Sequence, residues 1–321
     1  MGAALEQLQL RLPHLRRVDV RGASLEVAIA RVERPETRVC RVLEGNRVVA
    51  HPIPMDDPPR VTAFLDGVQE SRNVAWLGVV PLVFGRVGAV VRARVDQRLE
   101  TWSGAPRTFE AMYAPWSRLP QRDRALVQEC GLRTRDVDAG DDVPNDSHPL
   151  RCMQDATNAV KQDREAVERD LAAAYCDAGA GTLYVDGGLP NAAAVHASSA
   201  VVGVVKSHQT LYVSSEDLPT VFGLAAGERS SAFAIESRHR PPVASWYLRL
   251  RDARDRDPFW GLVRIEVPAS LFERFGASLA DERSGWVAAE RAPVALPDGR
   301  WDTMAYGIRN CEEFLRAATL R

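Results

Sequence analysis

Two aspartate–glycine pairs, each preceded by an apolar run of β-type residues, are the side chains in this sequence best suited to chemistry. Asp66-Gly67 follows residues 61–65, and Asp186-Gly187 follows residues 182–185. An aspartate at the end of a buried strand lies where the sheet opens to solvent, and the glycine beside it allows a ligand to approach the backbone. Each pair alone also fits an ordinary turn, so its chemical interpretation depends on what lies near it.

A long helix between the two pairs supplies a third acid. Residues 153–176 contain neither glycine nor proline, and their apolar side chains recur at helical spacing. Glu168 lies beside this apolar row rather than opposite it, so we expect its carboxylate to face the edge of the core. A solvated Glu168 paired with Arg164 is the alternative, and Glu165 is the main rival for a ligand role.

The order of these elements predicts where the acids meet. A strand aspartate, a hairpin, a helix glutamate and a second strand aspartate place Asp66, Glu168 and Asp186 at one edge of a mixed sheet. Hard divalent cations bind through such carboxylate oxygens. The pattern therefore predicts a metal site.

The remaining chain predicts an α/β protein with a mixed sheet flanked by helices. Residues 1–59 are interpreted as an N-terminal extension, with a leucine-rich helix at 4–20 broken at Pro13 and strands near 25–32 and 37–43. Residues 60–321 form the main domain, beginning with three antiparallel strands and a turn at Gly85-Arg86. Residues from about 100 to 150 are rich in proline and are expected to be an irregular insertion with a mobile acidic loop. Further expected elements are strands at 200–205, 210–213, 246–251 and 261–267 and a closing helix at 311–319.

Composition excludes several classes of protein. The chain has 321 residues, of which 45% are hydrophobic, so it contains enough apolar material for one large or two small domains. A net charge of -2 excludes a uniformly basic surface, and any nucleic acid must meet a local patch of arginines. Five cysteines without C-x-x-C spacing indicate reduced thiols, and the longest apolar stretch, residues 74–84, is too short to span a bilayer. We therefore expect a cytoplasmic protein without a membrane segment.

Several short motifs together resemble the NurA nucleases. They are residues 64–67 with Ser71-Arg72 just beyond, Glu168 placed 18 positions before Asp186, and residues 183–189, 202–207 and 263–268. The resemblance covers roughly residues 60–270, and its specificity comes from the order and spacing of the motifs.

The resemblance implies an RNase H-like fold and a nuclease dependent on Mn²⁺ or Mg²⁺ that acts on DNA ends and single strands. Members of the family are usually dimeric and work with a hexameric HerA-type DNA translocase. Carried over residue by residue, Asp66, Glu168 and Asp186 resemble the metal-binding acids. Lys206 resembles the lysine of the family's Gly-x-x-Lys motif.

The sequence departs from the family near its C-terminal end. The family closes its site with a histidine after a Tyr-Pro turn, whereas residues 306–312 contain no histidine. Glu312 or Asp302 is then the candidate for a fourth oxygen ligand. This departure puts full nuclease activity in question.

Other polar residues allow more than one interpretation. His196 and His208 flank the strand before Lys206, and each is either a phosphate contact or incidental. Lys206 either binds the scissile phosphate as a point charge or forms a surface salt bridge. No Walker-type phosphate loop is present, so the chain is not expected to hydrolyse ATP.

The mechanism expected from these residues is metal-assisted phosphodiester hydrolysis, with arginines holding the DNA backbone without reading its sequence. One alternative is a catalytically weakened structural partner of a translocase ring. Another is a nuclease acting on RNA or on RNA–DNA hybrids. A leucine stripe within residues 5–15 is expected either to mediate dimer or translocase contacts or to pack on its own domain.

Overall fold

A computed structural model describes residues 2–18, 35–54, 59–137, 148–238, 240–253, 256–292 and 302–319. The chain divides into two compact units. Unit 1 comprises Met1–Val32, Gly67–Ala89 and Arg107–Val167, and unit 2 comprises Glu33–Asp66, Val90–Pro106 and Glu168–Arg321. Both units draw on several separate stretches of chain, and the predicted boundary after residue 59 stays a prediction.

Eight helices lie in the described part of the chain, together with a short 3-10 turn at Trp116–Arg118. They are α1 (Gly2–Arg11), α2 (Gln121–Glu129), α3 (Pro149–Asp177), α4 (Ala193–Ala197), α5 (Leu218–Phe222), α6 (Ala269–Phe275), α7 (Ala277–Ala289) and α8 (Tyr306–Thr319). None of these described helices is long and apolar enough to cross a membrane.

The described strands number fifteen. They are β1 (Leu15–Arg17), β2 (Glu36–Thr37), β3 (Ala50–Pro52), β4 (Ala63–Leu77), β5 (Val80–Val95), β6 (Arg98–Thr101), β7 (Arg107–Ala114), β8 (Thr134–Asp136), β9 (Leu183–Asp186), β10 (Val201–Val205), β11 (Thr210–Leu211), β12 (Glu228–Ser230), β13 (Phe233–Ser237), β14 (Arg240–Arg249) and β15 (Leu262–Pro268).

Unit 2 is built on a mixed sheet. Its strands follow the order β3-β12-β14-β15-β10-β9-β4, with β13 beside β14 and β6 beside β5. β9 runs parallel to both β10 and β4, whereas β15 runs antiparallel to β10 and β14. Helix α7 packs on this sheet through Trp246, whose Nε1 donates a hydrogen bond to Ser284 Oγ at 2.8 Å. Since Trp246 is fully buried, this contact fixes α7 at the centre of the unit 2 core.

Unit 1 packs an antiparallel set of strands with helices α1 and α2. β5 pairs antiparallel with β7, β7 pairs parallel with β8, and β1 pairs antiparallel with the end of β4. The leucine stripe is buried in this unit, at Leu5, Leu8, Leu12 and Leu15, against strand residues that include Leu77. The expectation that the stripe mediates partner contacts is therefore wrong, because it packs on its own unit.

The succession of strands bears out the predicted mixed α/β class. β4, β5 and β7 are antiparallel in succession, α3 follows, and β9 and β10 then run parallel to β4. This combination of strand order and direction is that of an RNase H-like sheet. The predicted long helix and the strand after it are confirmed as α3 and β9, and the closing helix is confirmed as α8.

The structure forms no turn at two places where the sequence predicts one. β4 continues through Asp66-Gly67 to Leu77, so this pair is part of a strand, and the hairpin turns at Gly78, whose φ is 61°. β5 likewise runs unbroken through Gly85-Arg86. Gly85 predicts a turn from the sequence, but in the structure it lies within a strand and leaves room for the side chains packed against it.

Gly85 lies where two buried side chains converge. A Cβ added there would come within 2.5 Å of both the Tyr113 ring and Val160 Cγ2, and both side chains are fully buried. We expect Gly85→Ala to lower the free energy of unfolding by about 1–3 kcal/mol, because overpacking forces buried neighbours to shift. Urea denaturation measures this change. Val79→Ile, which adds one methylene at an exposed turn, is the matched control, and equal effects of the two substitutions would contradict the packing explanation.

The predicted irregular insertion contains regular structure up to residue 136. β6, β7, the 3-10 turn, α2 and β8 lie within residues 98–136, and β7 contributes the buried Tyr113 to the core. Two of the prolines that suggested irregularity lie at the starts of these elements, where Pro115 precedes the 3-10 turn and Pro120 precedes α2. The strand predicted at 25–32 and most of the acidic loop lie outside the described residues.

Candidate functional site

Strands β4 and β9 bring Asp66 and Asp186 side by side. The two parallel strands pair Phe64 with Tyr184 and Leu65 with Val185, and the aspartates are the next residue on each strand. Neighbouring strands lie about 4.8 Å apart, and residues in register point to the same face of the sheet. Asp66 is 8% exposed, and the Asp186 side chain is 24% exposed. The predicted meeting of these two acids is therefore found, although β4 does not end there.

The backbone after Asp186 has the conformation that its glycine permits. β9 ends at Asp186, and Gly187 has a φ of 115°, in a region that L side chains rarely adopt. Gly187 N donates a hydrogen bond to Val204 O at 2.9 Å. The chain therefore turns immediately beyond the carboxylate, as predicted for the second aspartate–glycine pair.

Lys206 forms an ion pair with Asp186. Its Nζ lies 2.7 Å from Asp186 Oδ1, and the lysine side chain is 18% exposed. Val204 is the register partner of Asp186, and Lys206 follows it by two residues, so both charged side chains lie on one face of the sheet. Of the two interpretations of Lys206, the structure contains the salt bridge. This salt bridge is partly buried rather than on the surface.

Cys311 on α8 is a site residue that the sequence did not suggest. Its thiol is fully buried and donates a weak hydrogen bond to Phe64 O at 3.4 Å. Burial raises the pKa of Cys311 well above its usual value, and the charges of Asp66 and Asp186 raise the pKa further. The thiol is therefore held protonated.

The candidates for a fourth ligand have other contacts. Glu312 Oε1 accepts a hydrogen bond from Arg316 Nη2 at 3.0 Å, one helical turn along α8. Asp302 Oδ2 accepts a hydrogen bond from Gly261 N at 2.9 Å, which makes Asp302 a loop-fixing residue. A ligand role for Glu312 stays a prediction.

Glu168 is the inward-facing glutamate of α3. It is 9% exposed, so it is buried rather than solvated, and its pairing with Arg164 stays a prediction. Its rival Glu165 has a side chain that is 52% exposed and lies 3.9 Å from both Lys161 and Arg164. Burial therefore favours Glu168 over Glu165, as its position beside the apolar row predicted.

The predicted cluster of metal ligands is only partly assembled. Across the described residues, no three His, Cys, Asp or Glu side chains come close enough together to hold a metal ion. Asp66 and Asp186 are placed together by strand register, whereas the structure does not join Glu168 or Glu312 to them as a ready-made cage. Their roles as further ligands stay predictions.

The two histidines near Lys206 differ in environment. His208 Nε2 donates a hydrogen bond to Leu262 O at 2.9 Å, and its ring stacks on Phe259 with centroids 5.2 Å apart. Burial lowers the pKa of His208 and also that of His196, where the charge of Arg240 adds to the effect. His208 is thus neutral and fixed by packing.

Helix α8 is anchored over the site by Arg92 of β5. The guanidinium donates hydrogen bonds from Nε to Asn310 Oδ1 at 2.9 Å and from Nη1 to Thr101 Oγ1 at 2.6 Å. It also lies 4.5 Å from the ring centroid of Phe314. Gly307 completes the contact, because a Cβ at this position would overlap the Phe64 ring. Together these contacts set the position of Cys311.

The chain is similar to known proteins at the level of structure rather than sequence. No protein-family model and no curated protein matches the chain. Among solved structures, the crystal structure of the NurA nuclease from Sulfolobus solfataricus is similar, at 9% identity, over 81% of each chain, with a TM-score of 0.45. At these values the similarity assigns neither a family nor an activity to this chain.

Proposed function

We propose that this protein is a divalent-metal-dependent deoxyribonuclease whose active site is centred on Asp66 and Asp186. The observation that carries the proposal is that each aspartate directly follows the last paired residue of two neighbouring parallel strands, Leu65 and Val185, with Lys206 at 2.7 Å from Asp186. Two like charges held side by side repel each other unless a cation neutralises them. Lys206 supplies one positive charge near the two carboxylates, and a bound divalent cation would supply the remaining positive charge.

The residues present suit Mn²⁺ or Mg²⁺. Mg²⁺ is commonly held by only one or two carboxylates, with water and substrate phosphates completing its coordination, so a cage of three protein ligands is not required. Asp66 and Asp186 would hold the cation, with Glu168 and Glu312 as the further ligands proposed. When bound, the cation would activate a water molecule and stabilise the leaving oxygen of the phosphodiester.

The chain's own residues have separable roles in this proposal. Lys206 places a compact positive charge beside Asp186, where it would attract the scissile phosphate as well as orient the carboxylate. The protonated Cys311 thiol adds no negative charge next to the aspartates, since its raised pKa keeps it neutral. Local arginines would hold the DNA backbone without base contacts.

The proposal is tested by cleavage of labelled single-stranded DNA with Mn²⁺, with Mg²⁺ and with EDTA. We expect cleavage in at least one of the two metals and none in EDTA. RNA and an RNA–DNA hybrid of the same sequence are run in parallel. Faster cleavage of RNA or of the hybrid would replace the DNA assignment, and cleavage undiminished in EDTA would contradict metal dependence.

A second candidate function is a catalytically weakened structural partner of a hexameric translocase of the HerA type. One observation favours it: residues 306–312 hold no histidine, whereas the nucleases that the sequence resembles close their site with one. In this case the chain would bind DNA and the translocase but would not cleave DNA in Mn²⁺. Homodimer formation and translocase binding remain proposals in both cases. Neither proposal is now based on the leucine stripe, which is buried in unit 1.

DNA binding by the proposed nuclease should depend steeply on salt. Each phosphate held by an arginine or lysine releases condensed counterions, and the slope of log affinity against log salt is about −0.9 per contact for duplex DNA and about −0.7 for single strands. Fluorescence anisotropy between about 50 and 200 mM salt measures this slope. We expect a marked loss of affinity and little difference between unrelated sequences, whereas salt-independent binding would contradict backbone recognition.

A further inference from the structure

Unit 2 contains a concave site apart from the aspartate pair. A cavity of about 730 Å³ is bounded by residues 38–41 and by strands β13, β14 and β15. This volume is within the range of about 300–1,000 Å³ that is typical of small-molecule sites. The charged side chains on its wall are Arg38, Arg41, Arg240, Arg264, Glu236 and Glu266.

The cavity lies on the opposite face of the sheet from Asp186. Val204 is the register partner of both Asp186 and Ile265, whereas Val205 is the partner of Arg264. Successive residues of a strand point to opposite faces, so Arg264 points away from the face that carries Asp186. The cavity is therefore a different site and not an extension of the aspartate pair.

Positive charge exceeds negative charge in the cavity wall. Four arginines line it against two glutamates, in a chain whose net charge is -2. Glu266 is fully buried, with Arg264 Nη1 at 2.6 Å and Arg240 at 3.4 Å. Burial alone would raise the pKa of Glu266, but the charges of Arg264 and Arg240 outweigh it and hold that pKa below its usual value. One carboxylate is thus shared by two guanidiniums, which leaves excess positive charge at the cavity wall.

The outer arginines are held only by exposed partners. The Arg38 and Arg41 side chains are 61% and 67% exposed, and they pair with the exposed Glu36 at 2.7 Å and Glu236 at 3.6 Å. Such exposed pairs contribute at most about 1 kcal/mol each, so an incoming anion can compete for these guanidiniums. Arg240, at 26% side-chain exposure, also reaches the cavity.

We propose that this cavity binds a phosphate-bearing anion of nucleotide size. Guanidinium groups match phosphate geometry and form charge-assisted hydrogen bonds to it, which favours phosphate over a neutral ligand. The cavity is larger than inorganic phosphate needs, and the apolar side chains of Val39 and Ile235 line it beside the arginines. The ligand is a free nucleoside monophosphate or the phosphorylated end of a nucleic acid strand, since both present the same terminal phosphate. This site goes beyond the proposed nuclease function and does not depend on it.

Calorimetric titration of the full chain with dAMP, in EDTA, tests the proposal. EDTA keeps the aspartate pair free of metal, so that binding there is not counted. We expect dAMP to bind, deoxyadenosine to bind at least about tenfold more weakly, and Arg41→Gln and Arg240→Gln each to weaken dAMP binding about tenfold, the loss expected for a charge-assisted hydrogen bond. Arg274→Gln, at an exposed arginine outside the cavity, should leave binding unchanged. Because Arg41 is exposed, its substitution is not expected to disturb folding.

Several results would overturn the proposal. One is equal binding of dAMP and deoxyadenosine, and another is unchanged dAMP affinity in both cavity variants. A third is a loss of dAMP binding in Lys206→Gln alone, which would show that dAMP binds on the aspartate face instead. Displacement of dAMP by a 5′-phosphorylated oligonucleotide, but not by its unphosphorylated form, would identify a strand end as the source. Cleavage activity is not used as a readout, so failure of this site and failure of the nuclease proposal are distinguishable.

Cys40 gives an independent measure of where the ligand lies. Its half-buried thiol lines the cavity, and peptide-level mass spectrometry reports its alkylation separately from that of Cys130 and Cys176. We expect dAMP to slow alkylation of Cys40 and to leave the other two thiols unaffected. Equal rates at Cys40 with and without saturating dAMP would contradict binding in this cavity.

Discussion

Asp186→Asn is expected to lower DNA cleavage in Mn²⁺ by orders of magnitude. Asparagine has nearly the same size but no charge, and a hard cation held by few carboxylates loses much of its attraction when one of them is neutralised. DNA binding should persist or become tighter, because a negative charge near the phosphates is removed. Initial cleavage rates on labelled single-stranded DNA measure the effect on catalysis. A separate measurement of DNA affinity gives the effect on binding.

The control for this substitution is Asp170→Asn on α3. The Asp170 side chain is 58% exposed and pairs with the neighbouring Arg169 at 3.0 Å, so cleavage should stay at the wild-type rate. Asp186→Asn should still fold, since an amide oxygen can accept a hydrogen bond from Lys206 and the substitution removes the repulsion between two neighbouring carboxylates. Wild-type cleavage by Asp186→Asn, or its failure to fold, would make Asp186 a structural residue.

Arg229→Met is expected to cause the largest loss of stability in unit 2, about 3–5 kcal/mol. The Arg229 side chain is 1% exposed and holds Glu44 through two hydrogen bonds of 2.8 and 3.0 Å, while its Nε donates to Asp281 at 2.6 Å. Methionine fills much of the same volume but leaves Glu44, which is 10% exposed, without its cation. Urea denaturation followed by circular dichroism measures the change.

A double substitution tests the electrostatic cause of that loss. Arg229→Met combined with Glu44→Leu removes both charges, and replacing a whole buried ion pair by apolar side chains is far less costly than removing one partner. The double variant should therefore be more stable than Arg229→Met alone. Arg169→Met, at an exposed pair, should change the free energy of unfolding by about 1 kcal/mol or less. A double variant no more stable than the single one would show that lost packing, not an unpaired Glu44, explains the effect.

The parts of the fold that follow from local pattern were predictable from the sequence. Helix α3 has a long apolar periodicity without glycine or proline, and β9 is a short apolar run that ends at an aspartate followed by a glycine with positive φ. Both patterns involve only residues that are close together in the sequence, so they can be interpreted without knowing the tertiary contacts. The turn at Gly78 and the continuous strand through Gly85 were not predictable, because the role of Gly85 is set by Tyr113 and Val160, which are distant in sequence.

The candidate site was predictable to the same extent. Asp66 and Asp186 each had a local signal, and strand register brought them together. Cys311 had none, since its position depends on how α8 packs on Phe64 and Arg92. The helical phase that places the Cys311 thiol against Phe64 O is visible only once the partner strand is known.

Binding of Mn²⁺, measured by electron paramagnetic resonance in the absence of DNA, tests directly whether Asp66 and Asp186 form a metal site. Free aqueous Mn²⁺ gives a sharp signal that is lost on binding, so a titration yields the number of bound ions. We expect bound Mn²⁺ in the wild-type chain and in Asp170→Asn, and a loss of that binding in the double variant Asp66→Asn, Asp186→Asn. Equal Mn²⁺ binding by the wild type and the double variant, with both folded by circular dichroism, would contradict a metal site at these two aspartates.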